Sequence, residues 1–140
     1  MSGFLLDTNV VSELVKAEPD RNVVRWISDS EETLLFLSVL TLGEIRSGID
    51  RMNAGRRRGR LESWLAVDLR RRFQDRILTI SDAVADRWGA LSAAAAKKGR
   101  PLPVIDGLLA ATALHHNLTL VTRNDAHVRS TGVPTLNPWK

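Results

Sequence analysis

A chain of 140 residues can enclose one core and is too short for two ordinary domains, so a single domain over 1–140 is expected. Its 44% hydrophobic and 26% charged residues are those of a globular protein rather than a disordered tail. No apolar run reaches membrane-spanning length, and the absence of cysteine excludes disulfides, a thiolate zinc site and a cysteine nucleophile.

In chain order, MSGFLLDTN lacks the basic flank and cleavage site of a signal peptide, so a cytoplasmic setting is the simplest fit. GFLLD is a short apolar run that reads as a buried strand ending at Asp7. TNVVSELVKAE has helical spacing through Val10, Val11, Leu14 and Val15, and Pro19 ends it. RNVVRWISDS is a second helical segment, and TLLFLSV a central strand. TLGEIRSGIDRM returns to the helix period. LESWLAVDLRRRF is an amphipathic helix entered after a Gly/Arg turn, and RILTI a short strand. SDAVADRWGALSAAAAKKG is a long helix with Ser81 as N-cap and Gly99 as its stop. PLPVIDGLLAATALHH is a helix with Pro103 near its first turn. LTLVT is a strand, and VPTLNPW an edge strand, because Pro134 and Pro138 flank it. Strands alternating with helices predict an α/β fold, a three-layer α/β/α sandwich with a mostly parallel central sheet. Ligands in such folds bind beyond the carboxyl ends of the strands.

Three acids stand in apolar frames: Asp7 ends GFLL, Glu44 follows SVLTLG, and Asp106 is set in PLPVIDGLLAATAL. A carboxylate removed from water is costly unless it is paired, hydrogen-bonded or metal-bound. Together they point to segments converging on a cation. Each has an ordinary alternative. Asp7 is a possible N-cap, although Thr8 or Asn9 would serve equally. Thr41-Leu42-Gly43-Glu44 fits a capping box. Asp106 suits the positive end of its helix, yet that helix is almost wholly apolar and its lone carboxylate needs a strong partner. Asp125 and His127 read as polar-turn and surface-loop residues.

The balance is basic, with 20 Lys and Arg against 16 Asp and Glu. Arginines concentrate in RMNAGRRRGR (51–60) and RRRFQDR (70–76), which suits a phosphate-binding surface and equally a solvated helix face with an exposed turn. No Walker A loop, GxGxxG or GxSxG is present, and Asn9 stands where phosphoaspartyl chemistry would need a second aspartate. Scattered carboxylates suit hard-oxygen coordination of Mg²⁺ or Mn²⁺.

With these acids placed, the chain resembles the PIN-domain family, in particular VapC/FitB-type toxins. FLLDTNVVSEL (4–14), SVLTLGEIRSGI (38–49), PVIDGLLAATAL (103–114), TLVTRN (119–124) and the closing NPW carry the resemblance over essentially the whole chain. It implies a Mg²⁺- or Mn²⁺-dependent endoribonuclease acting on RNA, a small antitoxin with its own DNA-binding domain that blocks the site, and a homodimer within a larger assembly. It also implies products carrying a 5′-phosphate and a 3′-hydroxyl.

Asp7, Glu44 and Asp106 fall on the family's acidic positions. Ser38 and Thr8 or Asn9 would support them, and Thr122 and Asn124 would shape the rim. The fourth acid departs from the pattern, since His127 stands where the family usually has aspartate. Either Asp125 supplies that carboxylate through a shifted turn, which is the expectation, or the site runs with three acids and a weaker second metal. Asp7 and Asp106 are expected to bind the principal ion, with Glu44 completing the shell or orienting the water. A non-catalytic PIN-like binding module, and a metal-dependent DNA nuclease or phosphatase, are the other classes the residues allow.

Overall fold

The computed structural model describes residues 2–140. Five short strands form one sheet: β1 (Phe4–Leu6), β2 (Leu35–Ser38), β3 (Ile77–Leu78), β4 (Thr119–Val121) and β5 (Thr135–Leu136). Their order is β3-β2-β1-β4-β5, and every pairing is parallel. The proline-flanked β5 lies at an edge, as expected, since proline cannot donate to a ladder.

The strands lack polar alternation because both faces are covered. Side chains still alternate. Leu6, Leu35, Leu37 and Val121 enter one core cluster, with Val10, Val11, Val23, Ile27, Ile45 and Ile49. Leu5 and Leu120 enter the other, with Leu109, Ala110, Ala113 and Leu118. The first cluster is roofed by α1 (Thr8–Glu13), α2 (Arg21–Asp29), α3 (Val39–Asp50) and a helical run beginning with α4 (Arg56–Ser63). That run passes through a π-helical turn, Trp64–Leu69, into α5 (Arg70–Arg72). On the opposite face lies α7 (Val104–His115), with α6 (Asp82–Lys97) packed against it. This is the expected three-layer arrangement. Ser81 caps α6 by accepting from Val84 N at 3.2 Å, and Gly99 ends it at φ +70°.

Two differences from the sequence reading bear on the surface of the fold. The first helix stops at Glu13 rather than running to Pro19, because Glu13 Oε2 accepts from Asp20 N at 2.8 Å and folds the chain back into α2. The arginines of 51–60 do not all lie in a turn: Arg56, Arg57, Arg58 and Arg60 are already helical. Arginine is a good helix former, and Arg58 also holds Met52 O at 2.9 Å. Among the described residues no helix is long and apolar enough to cross a membrane.

Candidate metal centre

The parallel sheet sets the carboxyl ends of its strands along one rim. Asp7 follows β1 there, and its N–H donates to Val121 O at 2.9 Å, fixing it beside the end of β4. The residue is 7% exposed. Oδ1 accepts from Thr8 N at 2.7 Å, and Oδ2 accepts from the buried Thr122 hydroxyl at 2.7 Å. Thr122 is itself oriented by accepting from Asn124 N at 3.0 Å. Asp7 is therefore the N-cap of α1, a duty that Thr8 or Asn9 was expected to be able to take. The cap uses one oxygen and leaves the other to the rim.

Glu44 comes from α3. The capping-box alternative fails, because the helix is capped three residues earlier, where Ser38 Oγ accepts from Leu40 N at 3.0 Å. Thr41 is thus interior to the helix, and Glu44 is released from its amide. The Glu44 Oε1 instead accepts from Thr8 Oγ1 at 2.5 Å, with Thr8 Oγ1 also 3.1 Å from the buried Thr41 hydroxyl.

Asp106 lies in the first turn of α7, whose following residues Gly107 and Leu109–Ala113 are buried. The packing there is close: a Cβ at position 107 would sit 2.8 Å from Leu102 Cδ2 and 3.0 Å from Trp88 Cδ1, so the Leu102 side chain would have to shift. Asp106 Oδ2 lies 3.2 Å from His127 Nδ1. His127, read from the sequence as a surface-loop residue, is exposed as expected, but it belongs to a 3₁₀ segment, Asp125–Thr131, and touches the acid. Asp125 opens that segment and faces Arg129 at 3.6 Å. Ser38 acts through its cap, and Asn124 through its backbone. Thr41 and the His127 contact were missed. Thr41 was legible one helical turn before Glu44; His127 was marked by the resemblance as standing at the fourth acidic position, but its contact with Asp106 was not.

The electrostatics tie the three acids together. Burial raises the Asp7 carboxyl above its ordinary range, the bonds from Thr122 and Thr8 N pull it back, and the charges of Asp106 and Glu44 push it up again. None of the ion pairs among the described residues includes Asp7 or Glu44. Asn9 Nδ2 lies 3.4 Å from Asp7 Oδ2, and the buried Asn9 Oδ1 has no partner.

The donor set is all oxygen on its inner side, which fits a hard divalent ion. Among the described residues no three Asp, Glu, His or Cys side chains stand close enough to wrap an ion by themselves. An ion held there would complete its shell with water, as Mg²⁺ does on one or two direct carboxylates.

The PIN domain pattern matches residues 4–132. The chain is 36% identical to the VapC ribonuclease Y4jK of Sinorhizobium fredii over 98% of both chains. It is 33% identical to toxin FitB of Neisseria gonorrhoeae over 97% of this chain and 98% of that one. The solved structure of FitAB bound to an IR36 DNA fragment contains a chain that superimposes with a TM-score of 0.92 at 31% identity, covering 98% of this chain and 96% of the other. On these grounds the chain belongs to the PIN-domain family, alongside its VapC and FitB members.

Proposed function

We propose that this chain is the toxin of a toxin–antitoxin pair and a Mg²⁺- or Mn²⁺-dependent endoribonuclease acting in the cytoplasm. The observation that carries the reading is Asp7: a buried carboxylate with hydrogen bonds but no cationic partner, crowded by Glu44 and Asp106 at the rim of a parallel sheet. The names of the relatives, a VapC ribonuclease and a toxin, support it.

Asp7 and Asp106 would hold the ion, with Glu44 completing its shell or orienting the attacking water. A divalent ion there supplies positive charge against the phosphodiester and lowers the pKa of its bound water. Thr122 and Thr8 N fix the Asp7 carboxylate, and the Thr8 hydroxyl fixes Glu44, so both acids are oriented before substrate arrives.

The arginines divide by structure. Arg72 and Arg76 are committed to Glu32, at 3.0 and 3.1 Å. Arg56, Arg57, Arg60, Arg70 and Arg71 make no ion pair or side-chain hydrogen bond among the described residues, and we assign them to the RNA backbone. An apolar groove of about 240 Å³ beside Thr8 and Glu44, lined by Ile45, Ile49, Met52 and Trp64, suits a blocking segment of the antitoxin. That partner would carry the DNA-binding domain, in keeping with the FitAB assembly on DNA. A homodimer joined to antitoxin is the assembly this reading implies.

The test is cleavage of structured RNA, single-stranded DNA and a small phosphoester by the purified chain, with Mg²⁺ and then with EDTA. Cleavage confined to RNA and to Mg²⁺, and lost in Asp7→Asn and Asp106→Asn, is the expected result. Equal cleavage in EDTA, or full activity in Asp7→Asn, rejects the mechanism.

A further inference from the structure

Asp106 has one side-chain hydrogen-bonding neighbour among the described residues, and it is an imidazole. His127 is 55% exposed, so its ring is not there to fill the core. The segment beneath it is anchored, because His127 N donates to Asn124 O at 3.0 Å and Val128 is buried in the second core cluster. The neighbouring acid of the segment, Asp125, faces Arg129. The side chain that meets Asp106 is therefore a ring, while the one ion pair of Asp125 among the described residues is with Arg129.

We propose that His127 completes this rim as a positioning residue, holding Asp106 through Nδ1, and that the centre consequently retains one divalent cation tightly instead of two. The inference rests on the reading of Asp7, Glu44 and Asp106 as cation ligands. Two divalent ions repel about four times as strongly as two single charges at the same separation. Sites that hold such a pair offset this with carboxylates shared between the ions. An imidazole adds no negative charge. It also engages Asp106 Oδ2, one of the two oxygens a bridging carboxylate would need. What His127 contributes is orientation, the service a hydrogen-bonding neighbour gives a ligand.

The experiment counts ions rather than turnover. Mn²⁺ is titrated into the purified chain and followed by the EPR signal of the free ion and by calorimetry. Wild type is compared with His127→Ala, His127→Asn, His127→Asp, Asp125→Asn and Asp106→Asn. Wild type is expected to bind one ion per chain. His127→Ala should still bind one, roughly ten- to a hundredfold more weakly, the usual cost of losing a ligand's orienting partner. His127→Asn keeps an N–H donor and should recover most of that loss. His127→Asp supplies a fourth carboxylate and should take up a second ion, whereas Asp125→Asn should match wild type. Two tight ions in wild type, unchanged binding in His127→Ala, or a single ion in His127→Asp would each overturn the proposal. If wild type binds no ion at all, the parent reading of the three acids fails and this one with it. If wild type binds and Asp106→Asn does not, while His127→Ala equals wild type, only the role of His127 fails.

Discussion

Asp7→Asn should make the metal-free protein more stable while abolishing its response to metal. In the wild type, burial raises the carboxyl, and only part of that is recovered from Thr122 and Thr8 N. The neighbouring charges of Glu44 and Asp106 add to the penalty. Asparagine occupies the same volume. Its oxygen can accept from Thr8 N, and its amide can donate to Thr122 Oγ1, whose hydroxyl is free to rotate. The substitution removes a buried charge but leaves the Thr122 hydroxyl proton without its acceptor, because Thr122 Oγ1 already accepts from Asn124 N, so the net gain is at most about 1 kcal/mol. For a chain of this length that is up to about 3 °C in Tm. The pH dependence follows from the raised carboxyl. Between the ordinary value of 3.8 and the higher native one, the folded state binds more protons than the unfolded, so wild-type stability falls as pH rises through that window. Asp7→Asn should flatten this slope. The assay is urea and thermal unfolding in EDTA from pH 3.5 to 7, repeated at pH 7 with millimolar Mg²⁺ or Mn²⁺. Ion should raise the wild-type Tm and leave Asp7→Asn unmoved. If Asp7→Asn is less stable than wild type in EDTA, or is stabilised equally by metal, the reasoning about the buried charge is wrong.

Three further outcomes rest on separate features. Thr8→Val removes the 2.5 Å bond that orients Glu44, so calorimetry should find divalent-ion affinity lowered about tenfold; an unchanged affinity would detach Thr8 from the centre. Glu13→Gln loses the Lys16 pair at 2.8 Å and weakens the hold on Asp20 N, costing about 1–2 kcal/mol in urea unfolding at pH 7. The Lys16 bond, against the effect of burial, holds the Glu13 carboxyl below its ordinary 4.5, so this stability is present above that pH and drains away as pH falls; a gap from wild type that widens in acid would contradict it. Gly3→Ala should destabilise by about 1–3 kcal/mol, because its Cβ would fall 2.6 Å from Leu34 O, whereas Gly43→Ala, with open space inside α3, should be neutral or stabilising by up to about 1 kcal/mol; equal effects at the two positions would show that the packing around Gly3 yields.

The features legible in the sequence were those decided within a few residues. Alternation of strand and helix, the Ser81 cap, the Gly99 stop and the proline-bounded edge all follow from local rules, and the structure repeats them. The oddness of Asp106 was legible too, since an apolar helix with one acid stands out from its composition alone. What escaped were choices between locally equivalent solutions. Asp7, Thr8 and Asn9 can each cap a helix; Asp7 takes the cap where its amide pairs with β4, 114 residues away in sequence. Ser38 and Thr41 can each start α3, and the choice of Ser38 leaves Thr41 and Glu44 on the helix face that meets Thr8.

Pairings that the fold makes decided the remaining cases, and local rules do not reveal the partners. Glu32 draws Arg72 and Arg76 out of the basic cluster from some forty positions away, and its carboxyl is held below the ordinary range chiefly by the Arg72 bond. A count of arginines therefore overstates the surface left for a nucleic acid. Glu13 ends α1 early by capturing the amide of Asp20. His127 reaches Asp106 across 21 residues, from a turn that reads as ordinary surface. The carboxylates of the centre could be found because an apolar sequence frame makes a charge conspicuous, although only Asp7 is buried. Their partners, Thr8, Thr41, Thr122 and His127, are residues at home almost anywhere, and only the fold gives them a common place.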